Sequence, residues 1–392
     1  MKAKAIVVAS VLLVGCHVSG HDTNAPKQHA QSLSTPGAND KHKNHLLSSR
    51  WSGAKTSSTR GQNLWTHIRN GLKMKVPDNP LVREQKQNYL KDKSCLSEVI
   101  LRAEPYMYWI VEQINIRKMP MELVLLPIVE SSFNPHATSS SNAAGIWQII
   151  PSTGRHYGLK QNAYYDGRRD ILASTKVALD IMERLNKMFD GDWLVTIAAY
   201  NSGEGRVMNA IRQNQMNGQP TDFWSLSLPR ETTIYIPKML ALSDILKHYI
   251  RYGVQLPKPD GGRALTRVEI GQQIELNQAA RMAGMKLAAL KSFNAGYKTH
   301  STAPDGPQYI MVPKAKVIRL RSSLASRKIA AVQPRKSERR GGSHSYIVRP
   351  GDTLSGIAKR MKVTVRDLKR NNKLRGALVK PGQKLIVTVK AG

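Results

Sequence analysis

The segment Met121-Glu-Leu-Val-Leu-Leu-Pro-Ile-Val-Glu130-Ser-Ser-Phe133 carries a carboxyl, that of Glu130, near the end of an almost wholly apolar run. A helix with apolar residues on every side belongs in a core. Pro120 can open that helix at its first position, and Pro127 should bend it near its end. A carboxyl brought into such a core loses hydration, which disfavours its charged form and raises its pKa. A protonated acid beside a glycosidic oxygen is the general acid of sugar-bond cleavage. On this segment alone, a helix-terminal glutamate paired with a Lys or Arg is an equal reading.

The residues that follow supply partners for that chemistry. Asn134-Pro135 ends the helix and leads into the small-residue loop Ser139 to Gly145, then Ile146-Trp147-Gln148. Further on come Ala199-Tyr200-Asn201 and the stretch Glu231-Thr-Thr-Ile-Tyr235-Ile-Pro237-Lys238. Carbohydrate sites need planar amides and hydroxyls beside aromatic faces, which Ser139, Gln148, Asn201, Trp147, Tyr200 and Tyr235 provide. Plain core packing is the competing reading for Trp147 and Tyr200. Gly203-Glu204-Gly205 lacks a preceding strand and is not a nucleotide loop.

Four ordered motifs, Glu130-Ser131, Gly145-Ile-Trp-Gln148, Ala199-Tyr-Asn201 and Glu231 to Pro237, resemble those of the soluble-lytic-transglycosylase family of lysozyme-like enzymes. The resemblance covers roughly residues 104–251. It implies a mostly α, lysozyme-like domain with a cleft for a glycan strand, in which Glu130 is the single acid/base. By the same resemblance Ser139, Gln148, Tyr200, Asn201 and Tyr235 line the cleft. Glycosidases ordinarily bring two carboxyls to the bond, and none stands out as the second here, since capping or ion pairing explains Asp166, Asp170, Asp190 and Asp192. The family needs one, because the sugar's own 6-hydroxyl replaces water. The implied reaction cleaves the β-1,4 bond between N-acetylmuramic acid and N-acetylglucosamine and leaves a 1,6-anhydro end. A hydrolytic muramidase and a non-catalytic wall-binding lipoprotein are the alternatives.

The C-terminal stretch from Tyr346-Ile-Val-Arg-Pro-Gly351-Asp352-Thr353-Leu354 to Leu385-Ile386-Val387 resembles the LysM module, a βααβ fold that binds N-acetylglucosamine-containing glycans. Alternation in Tyr346 to Val348 predicts a strand, Asp352 or Thr353 caps the first helix, and Pro381-Gly382 turns into the last strand. An earlier stretch repeats this pattern at an offset of 78 residues. Leu276, Ala280, Met285, Leu290 and Asn294 fall opposite Leu354, Ala358, Val363, Leu368 and Asn372. It lacks the Pro-Gly-Asp-Thr start and reads as a degenerate LysM-like unit.

The expected organisation is a signal peptide at 1–15, a lipidated cysteine and flexible tether at 16–62, and a helical N-terminal extension at 63–103. The catalytic domain then spans 104–256, the degenerate unit 264–324, a basic linker 325–343 and the LysM domain 344–389. A basic start and about ten apolar residues form an export signal too short to span a bilayer. Leu13-Val14-Gly15-Cys16 resembles the lipobox of bacterial lipoproteins, which implies acylation of Cys16. His17 after it implies the outer membrane, with the protein facing the periplasm. Cys95 is then expected to be a lone, inert thiol.

The chain of 392 residues carries 60 Lys and Arg against 27 Asp and Glu, a net charge of +33. Such a charge fits nucleic acid, an anionic membrane or a carboxylate-bearing wall, or simply a lysine-rich surface. Export argues against nucleic acid, and the motifs favour peptidoglycan as substrate and as LysM ligand. No cofactor is implied. Two cysteines and scattered histidines make no metal-ligand pattern. Protein partners are not legible.

Overall fold

The computed structural model describes residues 63–258, 260–332, 343–374 and 376–388. The signal peptide, Cys16 and the tether to residue 62 lie outside the described residues. The chain divides into two compact units, residues 1–323 and 324–392.

Helices dominate the first unit, and polar caps set their starts. Asn63 caps α1 (Leu64–Gly71), Asn79 with Pro80 opens α2 (Pro80–Lys91), and Asp92 caps α3 (Lys93–Ile116). Each cap side chain accepts a backbone N–H that the helix start would otherwise leave unpaired. A 3₁₀ turn, Met121–Leu125, runs into α4 (Leu126–Ser131), and α5 (Pro151–His156) follows the small-residue loop. Asp170 caps α6 (Ile171–Met188) and Asp192 caps α7 (Trp193–Ser202), as the capping reading of those aspartates expects. Next come α8 (Glu204–Met216) and α9 (Arg230–Lys247). One apolar core joins α1, α3, α4, α6, α7 and α9. The helices α1 and α2 of the expected extension pack on this same apolar core, and α3 runs unbroken through residues 103 and 104.

Two expectations are corrected. Pro127 does not bend the end of the Glu130 helix; it sits in the first turn of α4, where its missing N–H costs nothing. The 3₁₀ turn gives way to α geometry between Leu125 and Leu126. Cys95 is not a lone thiol but is disulfide-bonded. It stands half-buried in the first turn of α3.

The first unit ends in a βααβ element: β1 (Leu265–Glu269), α10 (Leu276–Ala283), α11 (Leu287–Phe293) and β2 (Tyr309–Pro313), continued by α12 (Lys314–Val332). β1 and β2 pair antiparallel, Leu265 opposite Pro313. The helix α12 extends to Val332, into the stretch read as linker, where Ala, Leu, Arg and Lys favour helix. The second unit holds β3 (Ser343–Ile347), α13 (Leu354–Arg360), α14 (Val365–Asn371) and β4 (Lys384–Thr388), with β3 antiparallel to β4.

Both elements are locked by the same bracket. Asn294 donates to the carbonyls of Leu290 and Met311 and accepts from the Met311 N–H, at 2.7–2.8 Å. Asn372 does the same with Leu368 and Ile386, at 2.6–2.9 Å.

Candidate active site

Glu130 sits in the last turn of α4 with no solvent exposure. The helix stops because Ser132 and Phe133 turn left-handed, at φ 51° and 56°. Such a conformation costs non-glycine residues of order 1–3 kcal/mol. Phe133 offsets this by burying its ring against Tyr106, the centroids 6.2 Å apart. The Tyr235 hydroxyl, arriving from α9, donates to Glu130 Oε1 at 2.5 Å. Burial and the neighbouring Glu130 both hold the Tyr235 phenol well above its usual pKa, so it stays a donor at any physiological pH.

The loop after α4 is stitched to the same helix. Ser131 Oγ donates to the Ile146 carbonyl at 3.1 Å, and the Tyr200 hydroxyl, from α7, donates to the Trp147 carbonyl at 2.9 Å. The indole N–H of Trp147 reaches Thr175 Oγ1 at 2.9 Å, and its ring is wholly buried. Ser139 closes the tight turn that begins the loop: its Oγ accepts from the Ala143 N–H at 3.0 Å. Gln148 is left-handed at φ 46°, and its Nε2 donates to the Gly145 carbonyl at 2.8 Å. Its buried Oε1 has no hydrogen-bond partner. A buried acceptor left open costs about 1–3 kcal/mol, and a ligand N–H would relieve that cost.

Gly145 cannot be replaced in this loop. Its φ is +80°, and a Cβ there would lie 2.1 Å from the carbonyl oxygen of Arg168. Two arginines beside it act as spokes. Arg168 grips Asp166 through two bonds and donates to the Asn142 carbonyl at 2.7 Å, while Arg169 donates to the carbonyls of Pro135 and Ala137. Asp166 is thus an ion-pair partner.

On the remaining wall, Asn201 Oδ1 accepts from the Thr232 hydroxyl at 2.8 Å, tying α7 to α9. Lys238 lies one helical turn beyond Tyr235 on α9. Burial pulls its ammonium below the usual lysine value, while Glu231 and Glu130 pull the other way.

The structure therefore joins Glu130 to Tyr235 directly, Asn201 to α9, and Tyr200 to the loop that carries Gln148. Ser139 shapes the turn. Arg168, Arg169, Thr175 and Thr232 were not singled out in the sequence. Thr232 stands inside the Glu231 to Pro237 motif, but the arginines carry no local signal for the loop because the carbonyls they reach lie 19 to 34 positions away.

Fold and site together define a transglycosylase domain followed by LysM-type units. Residues 107–223 match the Transglycosylase SLT domain, 264–329 the Lytic transglycosylase MltD, LysM-like domain, and 346–388 the LysM domain. The chain is 58% identical to the membrane-bound lytic murein transglycosylase D of Escherichia coli K12, over 99% of this chain and 85% of that protein. It is 25% identical to the membrane-bound lytic murein transglycosylase C of Glaesserella parasuis, over 37% of this chain and 43% of that one. The chain belongs to the membrane-bound lytic murein transglycosylase D family.

Proposed function

We propose that the protein is a lytic murein transglycosylase in which Glu130 is the single acid and base. One observation carries this reading: every other buried carboxyl among the described residues is committed elsewhere. Glu104 is paired with Arg263, Asp166 with Arg168 and Glu204 with Arg184. Glu122 accepts the Met74 N–H, and Asp170 caps α6.

Glu130, protonated, gives its proton to the glycosidic oxygen as the bond to the anomeric carbon breaks. The N-acetyl group of the muramic sugar assists at that carbon. The Glu130 carboxylate then takes the proton of the sugar's 6-hydroxyl, whose oxygen closes on the anomeric carbon to give the 1,6-anhydro end. The Tyr235 hydroxyl steadies the carboxylate once the proton has left. Gln148 Oε1 is placed to accept an acetamido N–H, with Ser139, Tyr200 and Asn201 shaping the same cleft.

Glu130→Gln should lower the rate on purified sacculi by about 10³-fold, the share general acid–base catalysis supplies, with sacculus binding retained. An unchanged rate would refute the assignment. We further propose that Cys16 is acylated and holds the protein on the outer membrane, facing the periplasm, with the LysM domain engaging peptidoglycan. Cys16→Ala should release it from membranes; continued attachment would contradict the anchor. A thioether at Cys16 and an intrachain disulfide to Cys95 would compete for one sulfur, and the intact mass of the extracted protein separates them.

A further inference from the structure

We propose that the first βααβ element is a positioning element for the reaction, its α11–β2 loop acting as a buttress that holds the Gln148 loop in register with Glu130. The proposal rests on the lytic reading above.

The α11–β2 loop is docked on residues 164–170 of the catalytic core. Gly296 carbonyl accepts from the Asp166 N–H at 2.8 Å, and the Lys298 N–H donates to the Tyr164 carbonyl at 2.9 Å. The Tyr165 and Tyr297 rings lie 5.5 Å apart between centroids. From β2, the buried Tyr309 hydroxyl donates to Asp170 Oδ2 at 2.9 Å, while the other oxygen of that carboxyl caps α6.

Residues 164–170 hold the Gln148 loop. Arg168 and Arg169 reach it and the residues flanking it through four backbone carbonyls, those of Pro135, Ala137, Asn142 and Ile149, and Gly145 packs against the Arg168 carbonyl with no room for a methyl group. Yet this segment is turns and isolated bridges, without a helix or strand of its own to fix it. Its position therefore depends in part on what stands behind it. A second path reaches the acid itself: the Tyr106 hydroxyl donates to the Ser292 carbonyl at 3.0 Å, Phe293 packs on the Tyr106 ring, and that ring stacks on Phe133 beside Glu130. Displacing catalytic groups by about 1 Å can cost two orders of magnitude in rate.

Gly296→Ala is the sharpest test, because its backbone angles suit alanine while the added Cβ would fall 2.8 Å from the Tyr165 ring. In the full chain on sacculi, kcat should fall about tenfold with KM changed less than twofold, the signature of lost positioning. Amide exchange should quicken across residues 139–148 and 164–170 and stay unchanged in α3 and α9. Tyr309→Phe, which keeps the packing and removes one bond, should give the same pattern at about threefold. Unchanged kcat with quickened exchange at 164–170 would overturn the proposal. So would a raised KM at constant kcat, which would make the unit a glycan binder. Exchange needs no turnover, so an inactive wild type would sink the lytic reading while leaving the buttress measurable.

Discussion

The two βααβ elements share their asparagine bracket and differ in what holds the rest. In the second, Thr353 caps α13 and Thr364 caps α14, and Tyr346, Asp352 and Arg360 form a network at its surface. In the first, the residues at the cap positions, Glu275 and Lys286, make no capping bond. Instead Leu265, Tyr309 and Met311 join the catalytic core, and the connection before β2 has 15 residues where the second has 12. A module with a small core cluster of its own keeps local signals. One that is docked can lose them, because tertiary contacts supply the missing stability.

This difference predicts opposite responses to equivalent changes. The largest is expected at the brackets. Asn294→Ala strands buried groups in the shared core, so it should cost about 2–4 kcal/mol and lower kcat with it. Asn372→Ala, half-buried, should cost about 1–2 kcal/mol, melt the second element alone and spare kcat. Calorimetry of the full chain, with its two units resolved, distinguishes these, and equal effects would erase the contrast.

Capping gives the next effect. Thr353→Ala should destabilise the second element by about 1 kcal/mol. Glu275→Ala should leave the first within about 0.5 kcal/mol of wild type, as expected for a surface change. The smallest effect is one of pH. The hydrogen bond from Tyr346, with those from the Arg349 N–H and Arg360, lowers the Asp352 carboxyl from 3.8 to about 2. A depressed carboxyl stabilises the fold above its unfolded value and loses that contribution as pH falls through the folded one. The second element should therefore weaken between about pH 4 and pH 2, and Asp352→Asn should flatten that slope in thermal melts.

The same contrast explains what the sequence disclosed. The LysM domain was legible because its caps and turns are local. The buried helix of Glu130 was legible because Glu130 interrupts an apolar run, and the motif of Tyr235 because it is compact. Hidden were the relations between distant residues: Arg168 and Arg169 under the Gln148 loop, Tyr309 on Asp170, and Tyr106 between Ser292 and Phe133. The place of Pro127 was misread because apolar periodicity cannot separate a 3₁₀ turn from the helix that follows it.

The central claim is that one carboxyl, Glu130, performs both proton transfers and that no water enters the new sugar end. Digestion of sacculi in water enriched in heavy oxygen, followed by mass analysis of the fragments, tests it most directly. The account predicts 1,6-anhydro ends free of heavy oxygen from the wild type and no new ends from Glu130→Gln. Reducing ends carrying heavy oxygen would contradict it and make the enzyme a hydrolase.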